Sequence, residues 1–182
     1  YQVMRNAMRV LDEPAHGRVR RIVDTAFTPR ASAPVRPLTE QIAGELIDLA
    51  TSGESDEMDF VGDFAYPLPI RVICRLLGLP DDAQEAIERW AWDFARAGDP
   101  MSATPDIVER GNRAAEGFWR FFDDALVERR RHPGDDIMST LVRASDDGEV
   151  LTHDEAIATC VLLLQAGHET TADLLGNALI AL

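Results

Sequence analysis

The sequence predicts an all-α fold, and two observations support this prediction. Apolar residues recur every three or four positions almost throughout the 182 residues, and proline or glycine falls where these stretches end. No stretch alternates between apolar and polar residues as a half-buried strand would, and no repeat or linker divides the chain. We therefore expect one domain over residues 1–182, built as a helical bundle around a long central helix.

Four amphipathic helices are predicted in the first half of the chain. The third begins near Pro67 and ends at Gly78, and the fourth ends at Gly98, because glycine followed closely by proline is typical of a helix end. The apolar residues that define the four helices are, in order, Val19, Ile22, Val23, Ala26 and Phe27; Leu38, Ile42, Leu46 and Leu49; Ile70, Ile73 and Leu77; and Ala83, Ala86, Ile87, Trp90, Phe94 and Ala97.

Two further helices precede the last one. Thr104 is a candidate N-cap with Pro105 in the first turn of a long helix, and Pro133 closes this helix. A short helix is predicted around 137–142, and a loop follows it at 145–148.

The last helix opens with a capping box formed by Thr152 and Glu155. It continues to Leu182, so its length is at least ~45 Å at the helical rise per residue. No glycine or proline stops it, and Tyr1 is not an initiator residue. We therefore expect an incomplete domain that is cut at both ends.

Composition excludes several classes of protein. A net charge of -14 disfavours binding to nucleic-acid phosphates. Cys74 and Cys160 lie in apolar runs, which predicts buried free thiols and a reducing compartment. The uncharged stretch at 156–167 is shorter than the ~20 residues of a membrane-spanning helix. These features predict a cytoplasmic protein that binds neither nucleic acid nor a membrane.

The last helix is apolar on nearly every side and then changes character. Residues 156–166 carry no charge, which predicts a buried spine, whereas Gly-His-Glu-Thr-Thr at 167–171 brings two ionisable groups and two hydroxyls. A helical projection places Ala166 and Thr170 on one face and His168 on the opposite side. Thr170 is expected to bond to a carbonyl one turn earlier, in a kinked or widened turn.

Two structural interpretations of 167–171 remain open. Its small residues suit a crossing point of two helices, and they also suit a groove that admits a small molecule. A zinc-peptidase motif is excluded, because the second histidine it requires would stand where Ala172 does.

The first helix carries two cations at the margin of its apolar face. His16 and Arg20 are one turn apart beside the apolar stripe, whereas Arg18 and Arg21 project to the other side. Such a pair indicates a bound anion. Pairing with core carboxylates, or burial of the side-chain stems alone, explains the pattern equally well.

Four segments resemble the cytochrome P450 family in order and spacing. Ala-Gly-His-Glu-Thr-Thr at 166–171, after three leucines, resembles the oxygen-binding signature (Ala/Gly)-Gly-x-(Asp/Glu)-Thr-(Thr/Ser) of its long central helix. Residues 12–20 are similar to Asp-Pro-Pro-x-His-x-x-x-Arg, with Glu13 in place of the first proline. Residues 26–30 match Ala-Phe-(Thr/Ser)-Pro-Arg, and 66–80 match Pro-x-x-Val-Ile-x-x-Leu-Leu-Gly-(Val/Leu)-Pro.

The resemblance implies a partial cytochrome P450 fold that lacks the N-terminal sheet region and the C-terminal cysteine-loop half. It implies that Glu169 passes protons to Thr170, which hydrogen-bonds oxygen, so these two are the catalytic residues. His168 matches the variable position and receives no catalytic role. The heme-binding residues implied are His16 and Arg20, which would bind a propionate, and Ala166, Gly167 and Thr170, which would lie against the heme face.

The cofactor and partners are also implied by the resemblance. The cofactor is heme b, with its axial cysteine outside this chain, since Cys74 and Cys160 lack the family's cysteine-loop surroundings. The reaction is insertion of one atom of O2 into an organic substrate, with electrons from a ferredoxin-type donor. Arg18 and Arg21 are expected on the solvent side of the first helix, where their charge suits docking of this acidic donor, although an ordinary solvated helix face explains each of them better. The chain alone is expected to be inactive and to bind heme weakly.

Other interpretations were weighed against this one. Glu128 and Arg131 fit the family's Glu-x-x-Arg pattern but come too early in the chain, so we attribute that match to chance. The alternative function is a non-enzymatic all-α regulatory domain that binds a small ligand. A third possibility is an incomplete gene product that does not fold.

Overall fold

The structure is a computed structural model, and it describes residues 2–53, 57–101, 103–146 and 151–182. It is 79% helical, and the described residues contain no strand. The helices are α1 Ala15–Thr25, α2 Pro29–Ser32, α3 Val35–Ala50, α4 Pro67–Leu77, α5 Gln84–Gly98, α6 Pro105–Arg131, α7 Ile137–Asp146 and α8 His153–Ile180. Short 3₁₀ turns lie at Gln2–Met4, Met8–Val10 and Asp81–Ala83, and a π turn lies at Phe60–Ala65.

All seven predicted helices form. The turns at Gln2–Met4 and Phe60–Ala65 and the short α2 carry no periodic apolar pattern, so the sequence did not predict them. Of the loop predicted at 145–148, the first two residues extend α7, and the other two lie outside the described residues. Phe27 follows the end of α1 and is half-exposed, so it does not belong to the buried stripe.

Helix ends form where the sequence places their caps. The Thr152 hydroxyl accepts from the Glu155 amide at 3.2 Å, and Glu155 Oε2 accepts from the Thr152 amide at 2.7 Å, which completes the capping box. Thr104 caps α6 by accepting from the Ile107 amide. Gly78 ends α4 in the left-handed conformation, with φ of 76°.

The main core lies between α1, α4, α5, α6, α7 and the first half of α8. Its largest fully buried side chains include Phe118 and Phe122 on α6 and Ile157 and Leu164 on α8. Cys74 and Cys160 are buried in this core as free thiols, as predicted. Burial is the main cause that raises both thiol pKa values, that of Cys74 to about 12, so neither group is a thiolate at neutral pH.

Among the residues that the structure describes, no helix combines the length and the apolar character needed to span a bilayer.

Candidate functional site

The character of α8 changes at Ala166. Every residue from Glu155 to Val161 is buried, as is Leu164. From Ala166 onward most side chains are exposed, and His168 is the exception at 3% exposure. The predicted spine is therefore confirmed, and it ends where the polar segment 167–171 begins.

The open face of α8 carries the predicted hydroxyl. The Thr170 hydroxyl donates to the Ala166 carbonyl at 3.0 Å, as predicted, and both residues are exposed. Glu169 is exposed on the flank, and His168 faces the other way. The projection of these residues is confirmed.

The predicted widened turn is wrong, because α8 is α-helical at every residue from His153 to Ile180. A β-carbon on Gly167 would lie 3.5 Å from Ile73 of α4, which is ordinary van der Waals contact. Gly167 therefore lies where α8 packs against α4. Gly167 thus lies at a helix crossing, as the first interpretation predicted. Ala166 and Thr170 lie on an open face, as the second interpretation predicted.

His168 packs into the protein on the side of α8 away from Thr170. Its ring meets the Tyr66 ring edge-on, with centroids 4.3 Å apart. Burial lowers the pKa of His168 to about 4, although a hydrogen bond with the Tyr66 main chain opposes this effect. The imidazole is therefore neutral at physiological pH, and its Nε2 has no hydrogen-bonding partner among the described residues.

Tyr66 links α8 to α5. Its ring meets the Trp92 ring edge-on, with centroids 5.7 Å apart. Its hydroxyl is buried without a partner among the described residues. Burial, and then the charges of Glu88, Glu169 and Asp93, raise the pKa of Tyr66 to about 12, so this hydroxyl keeps its proton.

A groove of about 820 Å³ opens above these two rings, and we call it the α5–α8 groove. Tyr66 and His168 contribute to its floor, and Leu179 and Ile180 continue it along α8. Its charged lining residues are Asp59, Arg96, Asp99, Glu169 and Asp173. Sequence reasoning missed this groove, because nothing in the local pattern indicates that Tyr66 lies against His168.

The predicted cation pair lies at the exposed margin of α1. His16 Nδ1 is 3.1 Å from Glu13 Oε1, and this hydrogen bond is the main cause that lowers the pKa of Glu13. Arg20 lies 3.9 Å from Asp24, and its side chain is 63% exposed. Among the described residues these are weak surface contacts, and the Arg20 side chain is largely exposed while that of His16 is one third exposed.

Arg18 corrects one prediction. It was expected to face solvent, but its guanidinium bonds to Glu155 at 2.5 Å, and the Glu155 side chain is only 10% exposed. The projection gave the direction of Arg18 correctly relative to Arg20, but it could not show that α8 begins on that side. This ion pair joins α1 to the start of α8, and Thr170 lies ~22 Å farther along the helix axis.

No protein-family model matches the chain. Searches of curated proteins and of solved structures, however, find cytochrome P450 proteins that match nearly all of it. Cytochrome P450 CYP107DY1 of Priestia megaterium is 39% identical over 175 residues, which are 96% of this chain and 41% of that protein. 6-Deoxyerythronolide B hydroxylase of Saccharopolyspora erythraea is 37% identical over 170 residues, which are 93% of this chain and 40% of that protein. The crystal structure of P450BioI in complex with an acylated acyl carrier protein matches at a TM-score of 0.88 and 31% identity, over 98% of this chain and 45% of that one.

Over nearly its whole length the chain is similar to part of a cytochrome P450. It spans less than half the length of the relatives it matches, so it corresponds to a helical part of a cytochrome P450. The fold resemblance inferred from the sequence is thereby confirmed. The roles of individual residues stay predictions, because no comparison tests them.

Proposed function

We propose that the longer cytochrome P450 of which this chain forms a part is a heme-thiolate monooxygenase. It would insert one atom of O2 into a small organic substrate. The observation that carries this proposal is the arrangement on the open face of α8, where the Thr170 hydroxyl bonds to the Ala166 carbonyl and Glu169 stands on the flank. A hydroxyl beside an exposed carboxylate is the pair that a proton relay requires.

The chemistry of the exposed residues fits heme b. His16 and Arg20 are two donors at the outer margin of α1, and cationic donors of this kind suit a propionate carboxylate. Ala166 and Thr170 are small and exposed, so a flat ring can approach that face of α8. When bound, heme would supply the iron that activates O2, with a cysteine thiolate from outside this chain as its axial ligand.

The hydrogen bond of Thr170 decides what this residue offers. Its hydroxyl donates its hydrogen to the Ala166 carbonyl, so the oxygen lone pairs can accept a hydrogen bond from an O–H donor. Glu169 is exposed and can take up protons from water. In this arrangement Thr170 accepts a hydrogen bond on the open face of α8, and Glu169 is the carboxylate that supplies protons there.

Thr170→Ala in the longer protein tests the relay. Heme spectra are expected to stay nearly normal, while reducing equivalents are diverted from product to hydrogen peroxide. The measurement is product and peroxide formed per reduced cofactor consumed. Thr171→Ala is the matched control, since it removes an exposed hydroxyl one residue away. Unchanged product yield in Thr170→Ala contradicts the relay.

Arg20→Ala tests the heme assignment. A charge-assisted hydrogen bond contributes about 1.5–3 kcal/mol, so heme should dissociate more readily. Heme occupancy after purification measures this effect. Arg36→Ala, which removes an exposed arginine from α3, is the control. Equal occupancy in both variants contradicts a propionate contact for Arg20.

The electron donor in this proposal is an acidic, ferredoxin-type protein in the cytoplasm. Such a donor would meet the arginine-rich outer side of α1, where opposite charge speeds encounter. Since Arg18 is engaged with Glu155 and Arg20 is assigned to a propionate, we assign this docking role to Arg21, which is exposed. The substrate is an organic small molecule, and α5 and α6 of this chain give no more specific sign of it, because Trp90 and Phe94 pack on Phe118 in the core.

A further inference from the structure

Two neighbouring rings that line the α5–α8 groove each carry a buried polar atom. His168 is 97% buried, as its 3% exposure shows, and its Nε2 has no hydrogen-bonding partner among the described residues. The Tyr66 hydroxyl is buried without a described partner as well. Buried polar atoms cost free energy unless they are hydrogen-bonded, so a pair of them at one place indicates a ligand.

The two atoms have opposite hydrogen-bonding needs. Burial keeps the His168 ring neutral at physiological pH, and in the tautomer whose hydrogen is on Nδ1 the ring presents Nε2 as an acceptor. The Tyr66 hydroxyl remains protonated at neutral pH and is a donor. Their rings are in contact at 4.3 Å, yet the two polar atoms do not bond to each other.

We propose that the floor of the α5–α8 groove is a binding position for a single hydroxyl group, held between His168 Nε2 and the Tyr66 hydroxyl. A hydroxyl of water or of an alcohol can donate to Nε2 and accept from Tyr66 at once. A bound water keeps a second hydrogen, and Glu169 lines the same groove. His168 is then a positioning residue that holds a proton source near Glu169, and this part of the inference rests on the proposed function.

The surrounding charges favour a hydroxyl over an anion at this position. Glu88 and Asp93 face Tyr66 from α5, and Glu169 does so from α8. Asp173 raises the pKa of His168, although burial outweighs it. The excess of carboxylates repels a carboxylate or phosphate ligand, whereas a neutral hydroxyl is not repelled.

A double-mutant cycle on the 182-residue chain tests the bridge. Tyr66→Phe removes only the hydroxyl, and His168→Phe removes the acceptor but keeps a ring of similar size. With a bridging hydroxyl, Tyr66→Phe is expected to lower the folding equilibrium constant about three- to tenfold, and to have little effect in the His168→Phe background. His168→Gln, whose side-chain oxygen can replace Nε2, should restore the effect of Tyr66→Phe.

Without a bridging hydroxyl, the expected result is different. If the Tyr66 hydroxyl is merely buried and unpaired, Tyr66→Phe raises the folding equilibrium constant, or leaves it unchanged, in both backgrounds alike. That result overturns the proposal. Trp92→Phe is the control for ring packing, because it alters a contact of Tyr66 but leaves the Tyr66 hydroxyl and His168 Nε2 in place. It should show no coupling to His168→Phe.

Nitrogen NMR identifies the source of the hydroxyl. Acceptance of a hydrogen bond moves the Nε2 resonance of His168 upfield, and Tyr66→Phe should reverse part of this shift. A shift present in buffer alone indicates water, and one that appears only on addition of propan-2-ol indicates an alcohol. No shift in either condition contradicts the site.

The role next to Glu169 is tested separately in the longer protein. His168→Phe should enlarge the solvent isotope effect on product formation, and His168→Gln should restore it. An unchanged isotope effect in His168→Phe removes the positioning role but leaves the hydroxyl site standing. A protein that binds no heme would contradict the proposed function, while the NMR result on the 182-residue chain would still decide the site.

Discussion

The two halves of α8 have the same helical geometry and opposite surroundings. In the half before Ala166, residues 155–161 are completely buried, and that half begins with an ion pair and a capping box. In the half after it, Leu174 is 66% exposed and Ile180 is 85% exposed. Both halves are α-helical throughout, so the difference lies in what packs around them.

This difference separates stability from chemistry along one helix. The first half fixes α8 in the core, where its sequence has to be apolar and well packed. The second half is held by His168 against Tyr66, by Gly167 near Ile73, and by Leu175 against a small cluster formed by Ile42, Leu46 and Leu68. The open face between these contacts carries Thr170, so the reactive groups are placed rigidly without being buried.

Truncation of one leucine in each half should give the largest contrast. Leu164→Ala is expected to lower the free energy of unfolding by about 2–5 kcal/mol, because it leaves a cavity in a fully buried site. Leu174→Ala is expected to change it by less than about 0.5 kcal/mol, since the side chain is mostly exposed. Urea denaturation of both variants measures the difference. Equal losses would show that the second half is covered as fully as the first.

The sequence predicted this division in part. The uncharged run at 156–166 indicated burial on all sides, and the projection correctly separated His168 from Thr170. It could not identify the neighbours of either residue, because Tyr66 is remote in the chain and helical periodicity reports only which way a side chain points. The same limit explains the error at Arg18, whose partner Glu155 is 137 residues away.

Cap residues were predictable for a different reason. Thr152 and Glu155 satisfy each other within four residues, so their interaction depends on local sequence alone. The Glu155 carboxylate also binds Arg18, and this contact depends on the tertiary structure rather than on local sequence. The candidate site follows the same rule, since the bond from Thr170 to Ala166 was predicted and the α5–α8 groove was not.

Arg18→Met tests how strongly the first half of α8 is fixed to α1. Loss of the guanidinium leaves Glu155 with only its capping bonds, so the free energy of unfolding should fall by about 1–3 kcal/mol. Arg20→Met on the same helix is the control, and its exposed ion pair at 3.9 Å should contribute less than about 0.5 kcal/mol. Similar losses in the two variants would contradict a special role for the Arg18 pair.

The pH dependence of this pair has a definite sign. Burial tends to raise the pKa of Glu155, but the bonds from Arg18 and Thr152 outweigh it and hold the pKa below the usual 4.5. A lowered carboxyl pKa stabilises the fold at pH values above the usual one, and the contribution is lost as the pH falls through the folded-state value. When the pH is lowered below 4.5, the free energy of unfolding should therefore fall less in Arg18→Met than in the unchanged protein.

Gly176→Ala should give the smallest effect, and in the stabilising direction. A β-carbon at this position in the second half of α8 would meet no atom within 4 Å, so alanine adds helix propensity without a clash. The expected gain is about 0.5–1 kcal/mol in the free energy of unfolding. Gly117→Ala is the matched control in α6, where a β-carbon would lie 2.6 Å from Trp90 and should destabilise the fold. Thermal unfolding distinguishes the two, and a loss of stability in Gly176→Ala would mean that this part of α8 is packed more closely than its exposure indicates.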